Sequence, residues 1–572
     1  MFSHSERPYD WVGAWSEKRA QLSPEKVGLV DATTGERYTY AELDRRANRT
    51  ARLLRDEGVT GGESATGGEG VTSDERGDDQ SDGERVAVLS RNRPELVDLF
   101  FATAKTGGIL TPLSHRLAAG ELVEMLNDVD PALLVVEEPF ADLAERVLDH
   151  DAREFDCSVL SLSAGDSDSD TCVGDSDAEA SASESRATFD QWADALPEEN
   201  SPVETADVSM DDPHLFLHTG GSTGVPKETV LTHGSLLWNS FNTITAWGLR
   251  PEDTTPMVFP MFHTGGWNVL TLPMFHLGAT VVLAREFEPS EVLHLVESEE
   301  ATVLVAVPAV LRMMTHHDDW ADTNLSTLRF AKSGGGPCRE SVMEEWWDRG
   351  VDLSQGYGLT ECGPNNFTMP DGWPREKSDS VGVPVMHADA RIADEEGRRL
   401  PVGEIGELEL ASPHAADRYW RNEEETAETF GDVSASEASG GSEDGSSGGW
   451  VSTGDLARRD DEGYFYIEGR KKNMYVSGGE NVYPAAVEDR IADHPKVEEV
   501  VVVPVPDDQW GQVGKAVVQG EESLTLDELT DFLDGKLARF KRPRHLAFID
   551  EMPTSGPSKI DRQAVKSEFD EE

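Results

Sequence analysis

The sequence LFLHTGGSTGVPK, Leu215–Lys227, carries the strongest local signal in the chain. Its apolar start predicts a buried β-strand, and the glycines and hydroxyls that follow suit a loop that closes on an anion. Lys227 adds a cation. The Walker pattern fails, because Gly220 and four further residues lead to Val225 and not to Gly-Lys. Taken alone, the segment fits a phosphate loop and a plain glycine-rich turn equally well.

Around this loop the chain alternates helical and strand patterns, which predicts an α/β fold in layers. Helix-like TYAELDRRANRTARLLRDEG (39–58) is followed by the short apolar runs RVAVLS (85–90) and ALLVVEE (132–138). The alternation of helical and strand patterns continues from 210 to 420. Three acidic Gly/Ser stretches interrupt it, and we interpret them as solvated surface insertions without a chemical role. They lie at about 61–84, 163–185 and 431–449.

The length and a late change of pattern predict two unequal domains. The 572 residues allow three or four domain-sized units, and 37% hydrophobic residues supply more than one core. From about residue 473 the pattern becomes helix, hairpin, helix and terminal strand, which is typical of a small α+β domain. We expect a large N-terminal domain over 1–471, built of layered α/β subdomains plus a small β region, and a C-terminal domain over 472–572.

The chain is strongly acidic, with 110 Asp plus Glu against 50 Lys plus Arg and a formal net charge of −60. The three acidic stretches carry only −18 of this charge, so the acidity belongs to the whole chain. Repulsion therefore argues against nucleic acid or an anionic membrane as a partner. Arg outnumbers Lys by 36 to 14, and this combination resembles cytoplasmic proteins of salt-accumulating halophiles, in which molar salt shortens the screening length to about 3 Å.

Cysteine usage and hydropathy predict a soluble cytoplasmic protein. The four cysteines are too few to stabilise a chain of this length by disulfide bonds, and they show no C-x-x-C spacing, which favours a reducing compartment. The start, MFSHSERPYDW, lacks the apolar core of an export signal. No run approaches the roughly 18 apolar residues of a membrane-spanning helix. A homodimer would be compatible with these features.

Seven further segments combine glycines with charged, hydroxyl or aromatic residues. They are FPMFHTGGW (259–267), GGGP (334–337), QGYGLTE (355–361), STGD (452–455), GRKK (469–472), SGGENVYP (477–484) and PTSGPSK (553–559). Together with the phosphate-loop candidate, and in this order, they resemble the motif series of the adenylate-forming superfamily, which includes acyl-CoA synthetases, peptide-synthetase adenylation domains and luciferases. The resemblance covers nearly the whole chain outside the acidic stretches and favours the phosphate loop over a plain turn.

The resemblance implies an ATP site assembled from these motifs. The loop Thr219–Lys227 would wrap the β- and γ-phosphates, Thr360 would contact the α-phosphate, and Asp455 would accept hydrogen bonds from the ribose. The small-residue loop Gly334–Pro337, with Tyr357, would form a wall that packs on adenine. A carboxylate suits a diol or a metal, a guanidinium suits phosphate oxygens, and small residues make a flat wall for a purine. The residues implied in ATP or AMP binding are Thr219, Gly220, Gly221, Ser222, Thr223, Gly224, Lys227, Gly334, Gly335, Gly336, Pro337, Gln355, Gly356, Tyr357, Gly358, Thr360, Asp455, Arg470 and Lys559. Glu361 and Thr223 are implied as holders of Mg²⁺.

The reaction implied has two halves. A carboxylate first attacks the α-phosphate of ATP and releases pyrophosphate, and a thiol, that of coenzyme A, then attacks the acyl adenylate. Catalysis is assigned to Lys559, Thr219, Thr360 and Glu361. Lys559 would neutralise charge between the two approaching anions from a mobile C-terminal domain that rotates about a hinge at Lys472. The loop of Ser477, Gly478 and Gly479 would face the pantetheine arm of coenzyme A.

Substrate choice is less specified by the motifs. The acyl pocket is assigned to Trp238, Phe262, His263 and Trp267, and its segments contain no obvious cation for a second carboxylate. A monocarboxylic acid is therefore favoured, with medium- and long-chain fatty acyl-CoA synthetases as the nearest resemblance. The alternatives are a ligase for aryl or other carboxylates, a ligase that loads a carrier protein, and a non-catalytic nucleotide-binding regulator. The last should have lost Lys559 or Glu361, and both are present.

Two positions depart from the family pattern. Glu228 stands where glycine commonly follows the phosphate-loop lysine, and Ser558 stands where glycine commonly precedes the terminal lysine. Glu228 is expected to add a negative charge near the triphosphate. Neither departure removes a group that the chemistry needs.

The acidic composition predicts unfolding at low salt, because dilution withdraws the screening that makes the self-repulsion of a −60 chain tolerable. We expect the far-UV circular dichroism signal of the protein to collapse during stepwise dialysis from molar KCl into dilute buffer. An undiminished signal in dilute buffer would contradict the halophilic interpretation.

Overall fold

The computed structural model describes residues 12–61, 83–163, 189–219, 227–431, 449–477, 480–507, 510–534, 536–554 and 560–569. Most of the three acidic stretches lies outside these ranges. So do several predicted site residues, namely Gly220, Gly221, Ser222, Thr223, Gly224, Gly478, Gly479 and Lys559. Within the described ranges, every helix is too short or too polar to cross a membrane.

Of the described strands, eight form the largest sheet. From one edge to the other they are Arg418–Tyr419, Lys227–Thr232, Pro213–Thr219, Ile109–Leu113, Arg85–Leu89, Leu133–Glu137, Ser158–Leu162 and Asp190–Gln191. The strands from Pro213–Thr219 onward run parallel. The central ones, Ile109–Leu113, Arg85–Leu89 and Leu133–Glu137, are buried on both faces, as parallel sheets require, whereas the edge strand Asp190–Gln191 is exposed. Pro213–Thr219 and Lys227–Thr232 are antiparallel, so the predicted phosphate loop closes a hairpin in which Thr219 is paired with Lys227.

Two smaller sheets continue the α/β pattern. The second sheet contains, in spatial order, Thr254–Met257, Thr280–Leu283, Val27–Asp31 and Arg37–Thr39, and the third contains Val303–Ala306, Phe330–Ser333 and Leu353–Gln355. All strands of the third sheet run parallel. The loops at the carboxyl ends of its last two strands begin at Gly334 and Gly356, which places two predicted motifs side by side.

Helices cover these sheets with apolar faces. Tyr40–Asp56 begins at a capping box in which the Thr39 side chain accepts from the Glu42 amide and the Glu42 carboxylate accepts from the Thr39 amide. The α-helices of the large region are Trp15–Leu22, Tyr40–Asp56, Pro94–Thr106, Ala119–Val129, Ala141–Leu148, Trp192–Ala195, His233–Trp247, Thr271–Leu277, Pro289–Ser298, Pro308–Thr315, Glu340–Asp348 and Glu423–Phe430.

A β region follows, and then a small α+β unit. An antiparallel sheet contains Asp389–Ala393, Gly406–Ala411, Val451–Arg459 and Phe465–Arg470, beside a pair of strands at Phe367–Thr368 and Val383–Pro384. The last sheet contains Glu480–Val482, Tyr475–Ser477, Gly511–Gly520, Val497–Asp507 and His545–Phe548, with helices Pro484–Ala492, Leu526–Phe532 and Arg562–Phe569. This confirms the predicted α/β region followed by a small α+β unit. The boundary at 471/472 stays a prediction and falls in the short helix Lys471–Asn473.

The small unit contacts the large one through charged side chains. Glu499 forms ion pairs with Arg312 at 2.7 Å and with Arg339 at 3.4 Å. Arg339 lies two residues beyond the predicted adenine wall that ends at Pro337. The small unit therefore docks close to the predicted nucleotide site.

A buried carboxylate joins the carboxyl ends of the first two sheets. Glu137 accepts hydrogen bonds from the backbone amide of Arg91 at 2.9 Å and from the guanidinium groups of Arg91 and Arg285 at 2.8 and 2.7 Å. Arg91 follows a strand of the largest sheet and Arg285 follows a strand of the second. Burial alone would raise the pKa of Glu137, but the hydrogen bonds and charges of these arginines outweigh it and lower the pKa to about 2.

We expect Glu137→Gln to lower the free energy of unfolding by about 3 to 5 kcal/mol, since it leaves buried arginines without their counter-charge. Because the folded pKa lies below the usual value of 4.5, the stabilisation by Glu137 is complete above pH 4.5 and is lost as the pH falls through about 2. Urea unfolding at pH 7 and pH 3 measures both effects. Glu297, which is exposed, supplies the control Glu297→Gln, and equal stability of the two variants would contradict this role.

Candidate active site

The edge of the largest sheet brings a lysine, a tyrosine and two carboxylates together. Tyr419 pairs with Thr229 on the strand that begins at Lys227, and the Lys227 ammonium lies 5.1 Å from the Tyr419 ring centroid. The Tyr419 hydroxyl donates to Glu361 Oε1 at 2.8 Å. Lys227 also forms an ion pair with Glu425. Burial lowers the pKa of Lys227, and the charge of Glu361 partly opposes this.

A second group forms where two strands of the β region pair. Asp455 lies opposite Arg470, and Arg470 Nε contacts Asp455 Oδ1 at 2.8 Å. The hydroxyl of Tyr357 donates to the other carboxylate oxygen of Asp455 at 2.5 Å. Arg470 also donates to the Thr453 carbonyl at 3.1 Å. Burial and the charge of Asp455 raise the pKa of Tyr357, so the phenol stays protonated and can donate.

The two groups are neighbours, because the strand Val451–Arg459, which carries Asp455, contacts the short helix Thr360–Cys362, which carries Glu361, and we call the site that they form the crevice. Cys362 is buried between them. Burial is the largest cause that raises the pKa of Cys362, and the charges of Glu361 and Asp455 raise it further. The charge of Lys472 contributes to lowering the pKa of Lys227, so the predicted hinge lies within electrostatic reach of the lysine that ends the predicted phosphate loop. The structure therefore brings Lys227, Glu361, Asp455 and Arg470 together from four separate motifs.

The predicted adenine wall is open to solvent on one side. A Cβ added to Gly334 or Gly336 would meet no atom, and Gly335 adopts a φ of +83° that favours glycine. Pro337 is exposed beside them. Gly356 is tied to the third sheet by its amide, which donates to the Ser333 carbonyl at 2.8 Å. A flat surface of small residues thus ends beside Tyr357.

Two residues near this wall have structural contacts that the sequence did not indicate. Gln355 was assigned to nucleotide binding, but its buried amide accepts from the Cys338 amide and donates to the Ser378 carbonyl, so it supports the wall from behind. Gly358 allows close backbone packing, since an added Cβ would lie 2.3 Å from Pro364. Thr360 lies in the short helix Thr360–Cys362 together with Glu361.

The residues assigned to the acyl pocket divide into surface and core. His263 is exposed, and its ring centroid lies 4.5 Å from that of the buried Phe262. Trp238 lies on the helix His233–Trp247, where its ring contacts Phe241 and His387. The structure contradicts the assignment of Trp267 to the acyl pocket. Trp267 has no accessible surface, stacks on Phe100 and donates from Nε1 to the Met261 carbonyl, so it belongs to the hydrophobic core.

Glu228 does not add the expected negative charge at neutral pH. It is buried, and neither carboxylate oxygen has a hydrogen-bond partner among the described residues. Burial, with a contribution from Asp128, raises the pKa of Glu228 to about 8. The carboxyl is therefore mainly protonated at pH 7.

Two residues of the crevice were missed by sequence reasoning. Tyr419 and Glu425 reach Lys227 from a segment nearly 200 residues later, and the only available signal was the cluster RYWR at 418–421. Ser477 is buried at the end of a strand, and Lys472 is exposed in the short helix Lys471–Asn473.

A magnesium ion would fit the crevice as a phosphate-bound ion. Among the described residues there is no group of three or more metal-ligating side chains. Glu361 supplies one carboxylate beside Lys227, which suits Mg²⁺ because this ion is usually held by one or two carboxylates together with phosphate oxygens.

Comparisons with known proteins identify a family for the chain. The family model of AMP-binding enzymes matches residues 78–420, and that of the AMP-binding enzyme C-terminal domain matches 486–559. A feruloyl-CoA synthase from Amycolatopsis sp is 33% identical, covering 98% of this chain and 99% of that protein. An indoleacetate–CoA ligase from Aromatoleum aromaticum is 32% identical over 97% of both. The crystal structure of ATP-bound MatB from Rhodopseudomonas palustris matches with a TM-score of 0.78 at 26% identity and covers 97% of this chain and 99% of that one.

Glu425 forms an ion pair with Lys227, to which a phosphate of ATP is expected to bind. Glu425 and the phosphate would compete for this lysine, so we predict that Glu425→Gln strengthens ATP binding. The expected gain is about fivefold, because a partly exposed ion pair contributes about 1 kcal/mol. Titration of the protein with ATP and Mg²⁺ in molar KCl measures it, and Glu424→Gln on the same helix is the exposed control. Weaker ATP binding in Glu425→Gln would instead mean that Glu425 orients Lys227.

Proposed function

Since the chain belongs to the family of AMP-binding enzymes, we propose that it joins an aromatic monocarboxylic acid to coenzyme A. It is an AMP-forming acid–thiol ligase, like the named ligases that it matches along nearly its whole length. The observation that supports a nucleotide site most strongly is the convergence of Lys227, Glu361, Asp455 and Arg470 in one crevice.

The residues of the crevice suit the first half-reaction. An oxygen of the substrate carboxylate bonds to the α-phosphorus of ATP, the bond from that phosphorus to the bridging oxygen breaks, and pyrophosphate leaves with the electron pair. Two anions approach each other in this step, so Lys227, Arg470 and Lys559 would neutralise charge as it develops. Mg²⁺ held by Glu361 would neutralise the phosphates further.

The ribose would be held by the second group of the crevice. Asp455 offers carboxylate oxygens to the ribose hydroxyls, and Tyr357 keeps this carboxylate oriented by its hydrogen bond. In the second half-reaction the sulfur of coenzyme A bonds to the acyl carbon, the thiol proton passes to solvent or base, and AMP leaves. The Ser477 segment would face the pantetheine arm at that stage, after movement about Lys472.

An aromatic acid is favoured over a long alkyl chain because the acyl segments are rich in amides and rings. Asn239 and Asn242 on the helix His233–Trp247 and Asn365 after Glu361 are buried, and Asn239 Oδ1 has no partner among the described residues. An alkyl chain cannot satisfy a buried acceptor, whereas a ring with a hydroxyl or N–H substituent can. The aromatic-acid ligases of 32–33% identity support the same choice.

A matched panel of acids tests the proposal. Pyrophosphate release and AMP formation are measured in molar KCl, with and without coenzyme A, for ferulate, indole-3-acetate, benzoate, decanoate and palmitate. We expect kcat/KM for the best aryl acid to exceed that for decanoate by at least about tenfold, which corresponds to about 1.4 kcal/mol of transition-state binding. Lys559→Ala should lose pyrophosphate release but still consume a supplied aryl adenylate with coenzyme A.

Each other outcome selects a different function. Preference for decanoate or palmitate would identify a fatty-acid ligase, and turnover without any effect of coenzyme A would indicate a carrier-protein acceptor. ATP binding without pyrophosphate release from any acid would indicate a nucleotide-binding regulator.

A further inference from the structure

The segment that carries His263 continues into an unusual helical turn. Gly265–Val269 is a π-helix, which hydrogen-bonds its backbone at a wider spacing than an α-helix and leaves nearby carbonyls without their regular partners. Those carbonyls are buried, so they need partners from elsewhere in the protein. Two asparagine side chains supply them.

Asn239 and Asn365 form hydrogen bonds with backbone carbonyls at the carboxyl end of this turn. Asn239 Nδ2 donates to the Asn268 carbonyl at 2.6 Å. Asn365 Nδ2 lies 3.2 Å from the carbonyl oxygens of both Asn268 and Val269 and donates to Thr243 Oγ1 at 2.6 Å. Both asparagines are at least 97% buried. The turn is therefore attached to the helix His233–Trp247 and to the segment that follows Glu361.

A third asparagine bonds the other end of the same segment. Asn92 Oδ1 accepts from the Met261 amide at 2.8 Å, and Asn92 Nδ2 donates to the carbonyls of Phe259 and Ala284 at 2.9 and 3.1 Å. Asn92 is buried and lies next to Arg91, which is fixed on Glu137. The backbone of 259–269 is thus held at both ends by buried amides.

We propose that Asn92, Asn239 and Asn365 are positioning residues that fix Phe262 and His263 relative to Thr360 and Glu361. Gly363 supports this link, because a Cβ at Gly363 would approach Asn239 Oδ1 to 3.2 Å, so the Glu361 segment and Asn239 are packed together. The substrate acid and the α-phosphate must meet within a few tenths of an ångström, and the amides set that distance. The proposal rests on the ligase function proposed above.

The test compares Asn92→Ala and Asn365→Ala with Asn48→Ala. Asn48, on the helix Tyr40–Asp56, is the matched control, since it is equally buried, donates to Asp44 and accepts from the backbone amide of Val203. We expect all three variants to melt at lower temperature. Only Asn92→Ala and Asn365→Ala should lower kcat/KM for the acid, by about tenfold to a hundredfold, while ATP binding measured by titration stays within about twofold of wild type. Asn365→Ser, which keeps one donor, should lie between wild type and Asn365→Ala.

A second readout does not depend on activity. Hydrogen exchange of the amides in 259–269 should accelerate in Asn92→Ala and Asn365→Ala but not in Asn48→Ala. Unchanged exchange, or kinetic losses equal to those of Asn48→Ala, would overturn the proposal. If Asn365→Ala fails to fold, Asn365→Ser and Asn92→Ala carry the same comparison. A wild-type protein that releases no pyrophosphate would refute the ligase function, whereas an active wild type with unaffected variants would refute the positioning role alone.

Discussion

The structure of the crevice depends on the pairing of Lys227–Thr232 between two antiparallel neighbours. One neighbour, Pro213–Thr219, is buried in the largest sheet and fixes the base of the predicted phosphate loop. The other, Arg418–Tyr419, forms the sheet edge and carries the tyrosine that bonds Glu361. A one-residue slip in either pairing would turn Lys227 to the opposite face of the sheet. The register of this strand therefore sets the geometry of the lysine, the tyrosine and the carboxylate together.

Basic residues are rare in this acidic chain, and the described cations Lys227 and Arg470 of the crevice each pair with a carboxylate. Lys227 pairs with Glu425, and Arg470 pairs with Asp455. A phosphate that enters the crevice must compete with these carboxylates. The long-range field of a chain of net charge −60 repels an anionic nucleotide, so local contacts have to supply the attraction.

Much of the fold and part of the crevice could be predicted from the sequence, because both rest on local patterns. Alternating apolar runs and helical periodicity predicted the α/β layers, and glycine-rich motifs marked the loops at strand ends. Tyr419 and Glu425 could not be predicted, since their contact with Lys227 depends on strand pairing across nearly 200 residues. Trp267 was misplaced because an aromatic residue beside glycines has the same local pattern in a pocket wall as in a core. The hydrogen bonds of Asn365 could not be predicted, because its partners lie 96 to 122 residues away in the sequence.

The hairpin at the base of the phosphate loop shows why Glu228 is compatible with an anionic ligand. His218 and Glu228 lie opposite each other in the strand pairing, and both are buried. Burial lowers the pKa of His218 to about 3 and raises that of Glu228 to about 8, so both are mainly neutral at pH 7. His218 and Glu228 therefore add no net charge below the loop at pH 7. A charged residue at either position would need an ion partner that the described surroundings do not supply. His218 and Glu228 are therefore neutral because they are buried, although both residue types can carry a charge.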